Sequence, residues 1–267
     1  MKTMSLAQIC AQIGAKNTLE GQISNITTDS RNVQPGDLFI ALCGENFDGH
    51  NFVYKSLASG ACAAIVQKMP LRESFVQPSS GLFSSLFKKK EPKKDPAEEK
   101  LIFVDDTKQA LLDIANLYRT YIPARVVGVT GSVGKTSTKQ MVAAVLSGAF
   151  KTFKTPGNQN NEIGMPKTLL QLDETYEMAV LEMGMMNAGE IRQLARCATP
   201  EIGIITNIGI SHMENLGSRE NILKAKMELA DEMKDGSTLF LCADNDLLST
   251  VSYPRLNVVR YGLHAEK

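Results

Sequence analysis

From Arg125 onward the chain repeats one pattern, a short apolar run followed by a longer segment of helical period. The runs are "RVVGV" at 125–129, "EMAVLEMG" at 177–184, "EIGIITN" at 201–207, "STLFLCA" at 237–243 and "LNVVRYG" at 256–262. A strand with one face in water alternates apolar and polar residues, and these runs do not. They read as strands of a mostly parallel sheet with helices on both faces, a three-layer α/β domain.

The first half is organised differently. Strand-like runs at "DLFIAL" (37–42) and "CAAIV" (62–66) flank a helix in "HNFVYKSLASG", closed by Gly60. Ahead of them, "SLAQICAQIG" predicts a short helix with Ser5 as cap and Gln8 completing a capping box. Leu6, Ile9, Cys10 and Ile13 form its apolar face, and Gly14 ends it. Between 70 and 100, prolines, serines and mixed charges supply no periodic buried face, which predicts a mobile insertion. Within it "GLFSSLFKKK" reads as a solvated loop or as a small membrane-touching or partner-docking element. "LIFVDD" (101–106) resumes as a strand, and a helix over 107–122, stopped by Pro123, bridges to the second half. The expected architecture is a small N-terminal α/β domain over 1–106 and a phosphate-loop-type central α/β domain over 107–267.

Composition narrows the partners. Lysine plus arginine equals aspartate plus glutamate at 29 each, so no overall field draws the chain to nucleic acid or to an anionic membrane. The five cysteines are odd in number and lack C-x-x-C spacing, which favours reduced thiols over a disulfide framework or zinc site. No apolar run reaches the roughly 18 residues that span a bilayer, and the N-terminus lacks the pattern of a signal peptide. A cytoplasmic protein is expected.

The candidate site begins at "GVTGSVGKTS" (128–137). The usual phosphate-loop pattern is G-x-x-x-x-G-K-[ST], and its first glycine would fall at Val129. The remainder is intact and lies between an apolar strand and a helix, where backbone N–H groups and the helix N-terminus attract phosphate. Gly131, Ser132, Val133, Gly134, Lys135, Thr136 and Ser137 are therefore candidate ATP contacts. Lys135 would reach the β/γ-phosphates and the Thr136 hydroxyl would ligate Mg²⁺. The competing reading is a strand-to-helix turn that merely uses glycine.

Three more residues extend the site. Glu182 ends the strand "AVLE", and His212 follows the next strand by a few residues, so both fall at the sheet edge that carries the loop. Singly, each reads as well as a capping carboxylate or a loop histidine. Together they read as magnesium ligands, although imidazole is an unusual partner for so hard an ion. Lys226 is the third: Ile222, Leu229, Ala230 and Met233 share its helix face, which puts a lysine in a buried stripe. Either its stem snorkels to water, or burial lowers its pKa and leaves a nucleophilic amine that CO₂ can carbamylate.

The segments "TTDSRNVQPGDLFIAL", "GENFDGHNF", "GVTGSVGKTSTK", "TPGNQNNEIGMPKTLL", "LEMGMMNAGEI" and "TNIGISHMENLGSRENILKAKMEL" resemble the Mur ligases of peptidoglycan synthesis. "GNQNNEIGMP" and "GEI" resemble in particular the branch that joins D-alanyl-D-alanine to UDP-N-acetylmuramoyl-tripeptide. The resemblance implies a loop lacking the first glycine and an ATP-dependent ligase that proceeds through an acyl phosphate. It implies that Thr136, Glu182, His212 and Lys226 organise Mg²⁺, with Lys226 carbamylated. It further implies that Asn158 and Asn161 lie near the reacting end of the substrate, and that Ser30, Arg31 and His50 lie where the UDP moiety is held. Read without it, Asp29 and Ser30 would simply cap a turn.

Departures from the family pattern accompany the likeness. The family's third domain is not found, Cys242 stands where an asparagine is usual near adenine, and the 70–100 insertion is atypical. An isolated chain of this kind is expected to be a monomer and inactive without the third domain. The alternative is a non-catalytic module that binds nucleotide or UDP-precursor as a regulator or scaffold. A P-loop kinase or GTPase is disfavoured because no [NT]-K-x-D guanine motif is present.

Overall fold

The computed structural model describes residues 1–44, 47–70 and 96–263. The insertion expected over 70–100, with its "GLFSSLFKKK" element, falls outside the described residues apart from its two ends. The chain divides into two compact units, Thr3–Ala110 and Met1–Lys2 with Leu111–Lys267.

The first unit opens with β1 (Met4–Ser5), α1 (Leu6–Gln12), β2 (Gln22–Ile23), β3 (Ile26–Thr27) and β4 (Leu38–Ile40). Then come α2 (Val53–Ala58), β5 (Ala63–Val66), β6 (Leu101–Phe103) and the start of α3 (Thr107–Arg119), within whose sequence the boundary between the two units falls. Strands β3-β4-β5-β6 form a parallel sheet, and β1 pairs antiparallel with β2. Phe39, Val53, Leu57, Val66 and Leu101 pack together as its core.

Local expectations need correcting here. Ser5 is the N-cap of α1 but its side chain makes no capping bond, because Met4 and Ser5 belong to the β1-β2 pair. The capping box therefore does not close, although Leu6, Ile9 and Cys10 are buried as the spacing requires. The helix expected after His50 starts as a 3₁₀ turn, Gly49–Phe52. Helix α3 stops at Arg119, earlier than expected.

The second unit contains β7 (Arg125–Thr130), α4 (Lys135–Leu146), β8 (Thr152–Lys154), α5 (Gly164–Leu169), β9 (Met178–Glu182) and α6 (Glu190–Ala198). It continues with β10 (Ile202–Ile205), α7 (Met213–Leu216), α8 (Arg219–Asp231), β11 (Thr238–Cys242) and β12 (Asn257–Tyr261). All six strands are parallel in the order β12-β11-β10-β7-β9-β8. The apolar runs account for five of them; β8, at the edge, is only partly buried and carried no such run.

Strands β7 and β9 are buried along nearly their whole length, as a sheet covered on both faces demands. Each large aliphatic side chain so buried contributes about 1.5–3 kcal/mol. Helix α8 lies on β7 and β10. Its seat is made by glycine: a Cβ at Gly203 would lie 2.8 Å from Met233 Sδ, and one at Gly128 3.1 Å from Leu229 Cδ1. The chain leaves β7 with β9 on one side and β10 on the other. That reversal of strand order opens a crevice at the carboxyl edge, where ligands bind in sheets of this kind.

Candidate nucleotide and metal site

The loop between β7 and α4 fills this crevice. Gly131 has φ +149° and Gly134 φ +81°, and a Cβ at Gly131 would lie 1.9 Å from Thr206 Oγ1. Glycine is thus required at 131 both by backbone angle and by space. The segment after β10 laces the loop down. Asn207 accepts from Ser132 N through its carbonyl (3.0 Å) and from Val133 N through Oδ1 (3.0 Å), while Thr206 Oγ1 donates to Val133 O at 2.6 Å. Gly209 N donates to Ser132 Oγ at 2.9 Å.

The amides expected to face a phosphate lay around both Gly131 and Gly134, and the lacing separates them. The N–H groups of Ser132 and Val133 are used by Asn207. Those of residues 134–137 have no partner among the described residues, so the donors gather at the N-terminus of α4. There the helix dipole adds to them. The Lys135 ammonium donates to the carbonyls of Gly131 (2.8 Å) and Ser132 (3.3 Å). Burial lowers its pKa, and the charge of Glu182 opposes that shift.

Register puts the carboxylate beside the loop, because β9 pairs with β7 such that Glu182 stands opposite Val129. Glu182 is 1% exposed. Thr136 Oγ1 lies 3.1 and 3.0 Å from its two oxygens, Lys139 Nζ forms an ion pair with Oε2 at 3.0 Å, and Asn160 Nδ2 donates to Oε1 at 2.9 Å. Burial pushes this carboxyl upward, but hydrogen bonds from Lys139 and Asn160, with the Lys139 charge and Thr136, outweigh it and leave the pKa below its ordinary value. A hydroxyl and an ionised carboxylate are hard oxygen donors, so the pair fits magnesium beside a phosphate.

Lys226 sits fully in the core at 1% exposure, with Ile222, Leu229, Ala230 and Met233 also buried. Its stem does not snorkel. Its ammonium makes no hydrogen bond or ion pair among the described residues. Burial, and then the nearby charge of Lys135, lower its pKa to about 7. His212 occupies the loop after β10, at the same sheet edge, with φ 66° and as N-cap of α7. Such a backbone is uncommon outside glycine and is often found at functional sites. No contact joins its ring to Glu182 or Thr136 among the described residues.

The structure thus brings Lys135, Thr136 and Glu182 together, adds Lys226 through its field, and gives His212 no contact with them among the described residues. Ser137 is exposed on the first turn of α4. Among the asparagines the emphasis moves. Asn158 is exposed, and Asn161 Oδ1 accepts from Gly164 N at 2.8 Å, capping α5. Asn160 is the one that reaches Glu182. Lys139 and Asn160 were missed, although Lys139 carried a signal. It stands four residues after Lys135, on the same buried face as Ala143, the anomaly that exposed Lys226 on α8.

In the first unit Arg31 is clamped by Asp29, with Nε–Oδ1 at 2.9 Å and Nη2–Oδ2 at 2.7 Å, and Asp29 Oδ1 also accepts from Arg31 N. Asp29 accordingly shapes the turn containing Ser30. His50 departs from the expected ligand role. It is 1% exposed, its Nε2 accepts from Gln67 N at 3.0 Å, and its Nδ1 lies 2.7 Å from Asp48 Oδ1. Both ring nitrogens serve the fold. Cys43, Asp48 and His50 place three potential ligand atoms within 4.8 Å of one another. The Gln67 N–H requires a bare Nε2, so the ring proton is on Nδ1 and blocks metal there.

Comparison with known proteins places the chain among its relatives. Residues 22–119 match the family model described as "Mur ligase family, catalytic domain", and residues 129–267 match "Mur ligase middle domain". A protein named UDP-N-acetylmuramoyl-tripeptide–D-alanyl-D-alanine ligase from Bacillus subtilis is 40% identical over 91% of this chain and 48% of its own length. The Escherichia coli protein of that name is 37% identical over 87% of this chain and 45% of its own. The crystal structure of MurF from Acinetobacter baumannii superposes with a TM-score of 0.82 at 28% identity, covering 99% of this chain and 54% of that one. MurF from Thermotoga maritima in complex with ADP gives 0.76 at 29% identity, covering 90% and 51%. The chain spans about half the length of the relatives it matches. With both units matched by family models and with relatives 37–40% identical over most of its length, the chain belongs to the Mur ligase family.

Proposed function

We propose that this chain carries the substrate- and ATP-binding portions of an ATP-dependent amide ligase. It would add D-alanyl-D-alanine to UDP-N-acetylmuramoyl-tripeptide in peptidoglycan precursor synthesis. The first domain, 1–106, holds the UDP-linked substrate, and the second, 107–267, holds ATP. The protein acts as a monomer in the cytoplasm on soluble nucleotide-linked precursors. The observation that carries this reading is a threonine hydroxyl against both oxygens of a buried, ionised carboxylate, at the mouth of a loop with unused backbone donors.

The donors at residues 134–137 take phosphate oxygens at the positive end of α4. Lys135 exchanges its two loop carbonyls for phosphate oxygens and offsets the charge that grows during phosphoryl transfer to the substrate carboxylate. An ionised carboxylate is a poor acylating agent. Phosphorylation gives it a leaving group, and the dipeptide amine then displaces phosphate to form the amide. Thr136 and Glu182, joined by His212 and Lys226, are the residues to hold magnesium. When bound, that ion neutralises phosphate charge. The Lys226 amine is free to accept CO₂ at neutral pH and become an anionic oxygen ligand.

Calorimetry with ATP·Mg²⁺ tests the reading. The unmodified chain should bind, and Lys135→Ala should lose most of the heat. Indistinguishable heats for the two would refute the loop assignment. A mass gain of one CO₂ in bicarbonate, lost in Lys226→Met, would support the carbamate, and its absence would remove that element.

A further inference from the structure

Lys139 is 0% exposed, on the second turn of α4, with its ammonium divided between two acceptors. One is Glu182 Oε2 at 3.0 Å and the other is the carbonyl of Gly157 at 3.0 Å. Gly157 belongs to the segment between β8 and α5. The same segment also bonds to β9 and to the chain just beyond it, beginning with Thr155 N, which donates to Val180 O at 3.1 Å. Thr155 Oγ1 accepts from Glu182 N at 3.0 Å, Asn160 Nδ2 donates to Glu182 Oε1 at 2.9 Å, and Asn160 O accepts from Gly184 N at 2.8 Å. Glu182 is therefore a hub with the phosphate-loop helix on one side and the 155–160 segment on the other. Among the described residues, Lys139 alone bonds to both Glu182 and the backbone of that segment while itself belonging to α4.

A buried ammonium is costly to keep, since removing it from water takes several kcal/mol unless its partners are well placed. Leucine or methionine would fill the same space beneath α4 without that cost. The geometry shows what the charge achieves. A carboxylate touched only by Thr136 and Asn160 can rotate about its terminal torsion, which is broad and soft. With Lys139 on Oε2 and Asn160 on Oε1, both oxygens are pinned and the group is aimed at Thr136.

We propose that Lys139 is a positioning residue. It fixes the Glu182 carboxylate in the orientation that, together with Thr136, receives the divalent cation of a bound nucleotide, and it ties that orientation to the 155–160 segment. The proposal rests on the nucleotide-binding reading above. The contacts of the Lys139 ammonium are Glu182 Oε2 and the Gly157 carbonyl. Its effect passes through Glu182, and partners of this kind alter metal affinity by about 10–100-fold when removed.

The test is calorimetry of ADP on the whole chain, with and without Mg²⁺, for the parent, Lys139→Met, Glu182→Gln and the double variant. In Lys139→Met the gain in ADP affinity brought by Mg²⁺ should fall by about tenfold, while binding without Mg²⁺ is unchanged. In the Glu182→Gln background, Lys139→Met should have almost no further effect. Hydrogen exchange of the 155–160 amides, read without ligand, should speed up in Lys139→Met. An undiminished Mg²⁺ gain, or losses that simply add in the double variant, would overturn the proposal. If the parent itself binds no ADP, the nucleotide-binding reading fails instead. Should Lys139→Met not melt cooperatively, Lys139→Gln retains a donor but cannot reach both acceptors. It is read by the same criteria.

Discussion

Replacing Lys226 with methionine should stabilise the protein, and the gain should depend on pH in a defined direction. Methionine matches the length of the lysine stem and carries no charge into the core. Taking the amine from its ordinary 10.5 to about 7 in the fold corresponds, at about 1.4 kcal/mol per pKa unit, to on the order of 5 kcal/mol. Relaxation and water entry reduce such figures, and about 2–3 kcal/mol is the working expectation. The sign follows from proton counts. Below pH 7 the amine is protonated folded and unfolded, and the whole burial penalty weakens the fold. Between pH 7 and 10.5 the unfolded chain holds the proton more tightly, so stability of the parent rises with pH. The advantage of Lys226→Met should therefore be largest near pH 6 and shrink by pH 9.5. Urea unfolding followed by circular dichroism, in CO₂-free buffer, measures it at both values. Other titrating groups cancel in the difference between the two proteins. A difference that is the same at both pH values, or a less stable variant at pH 6, would refute the assignment of a buried amine without a partner among the described residues.

Two further substitutions test the scaffold. Gly131→Ala forces a Cβ to 1.9 Å from Thr206 Oγ1 at a φ of +149°. It should cost about 2–4 kcal/mol and abolish nucleotide binding, as thermal melting and calorimetry would register. In the first unit, His50→Ala strips partners from Asp48 and the Gln67 N–H and opens a cavity. A loss of about 2–4 kcal/mol in unfolding free energy is expected, and a variant as stable as the parent would show that His50 is free for another role.

Much of the site could be read from residues alone, and the reasons are local. Lys226 betrayed itself because helical period is set by the backbone, so four apolar neighbours on its face meant a buried face. The glycines and lysine of the loop were legible because a strand-to-helix turn that cradles phosphate has few chemical solutions. Asn160 was not legible among Asn158, Asn160 and Asn161. The segment has no period to say which side chain turns inward. His50 was placed near the UDP moiety by resemblance alone, and a polar residue in a loop gives no sign of whether the core or a substrate receives it. Strands β1, β2 and β8 escaped because two or three residues, half in water, leave no apolar run.

The amino-acid order by itself determined the parallel sheet, the buried stripes of its helices and the glycine-rich strand-to-helix loop, since unbroken apolar runs, a repeat of 3.6 residues and a short motif each lie along one stretch of chain. Only the tertiary structure decided which groups meet. The order β10-β7-β9 sets Asn207 and Glu182 on opposite sides of the loop. The register opposing Val129 to Glu182 delivers the carboxylate to Thr136 and Lys139. Such pairings join residues distant in sequence, and they are selected by burial of the whole sheet rather than by any local preference.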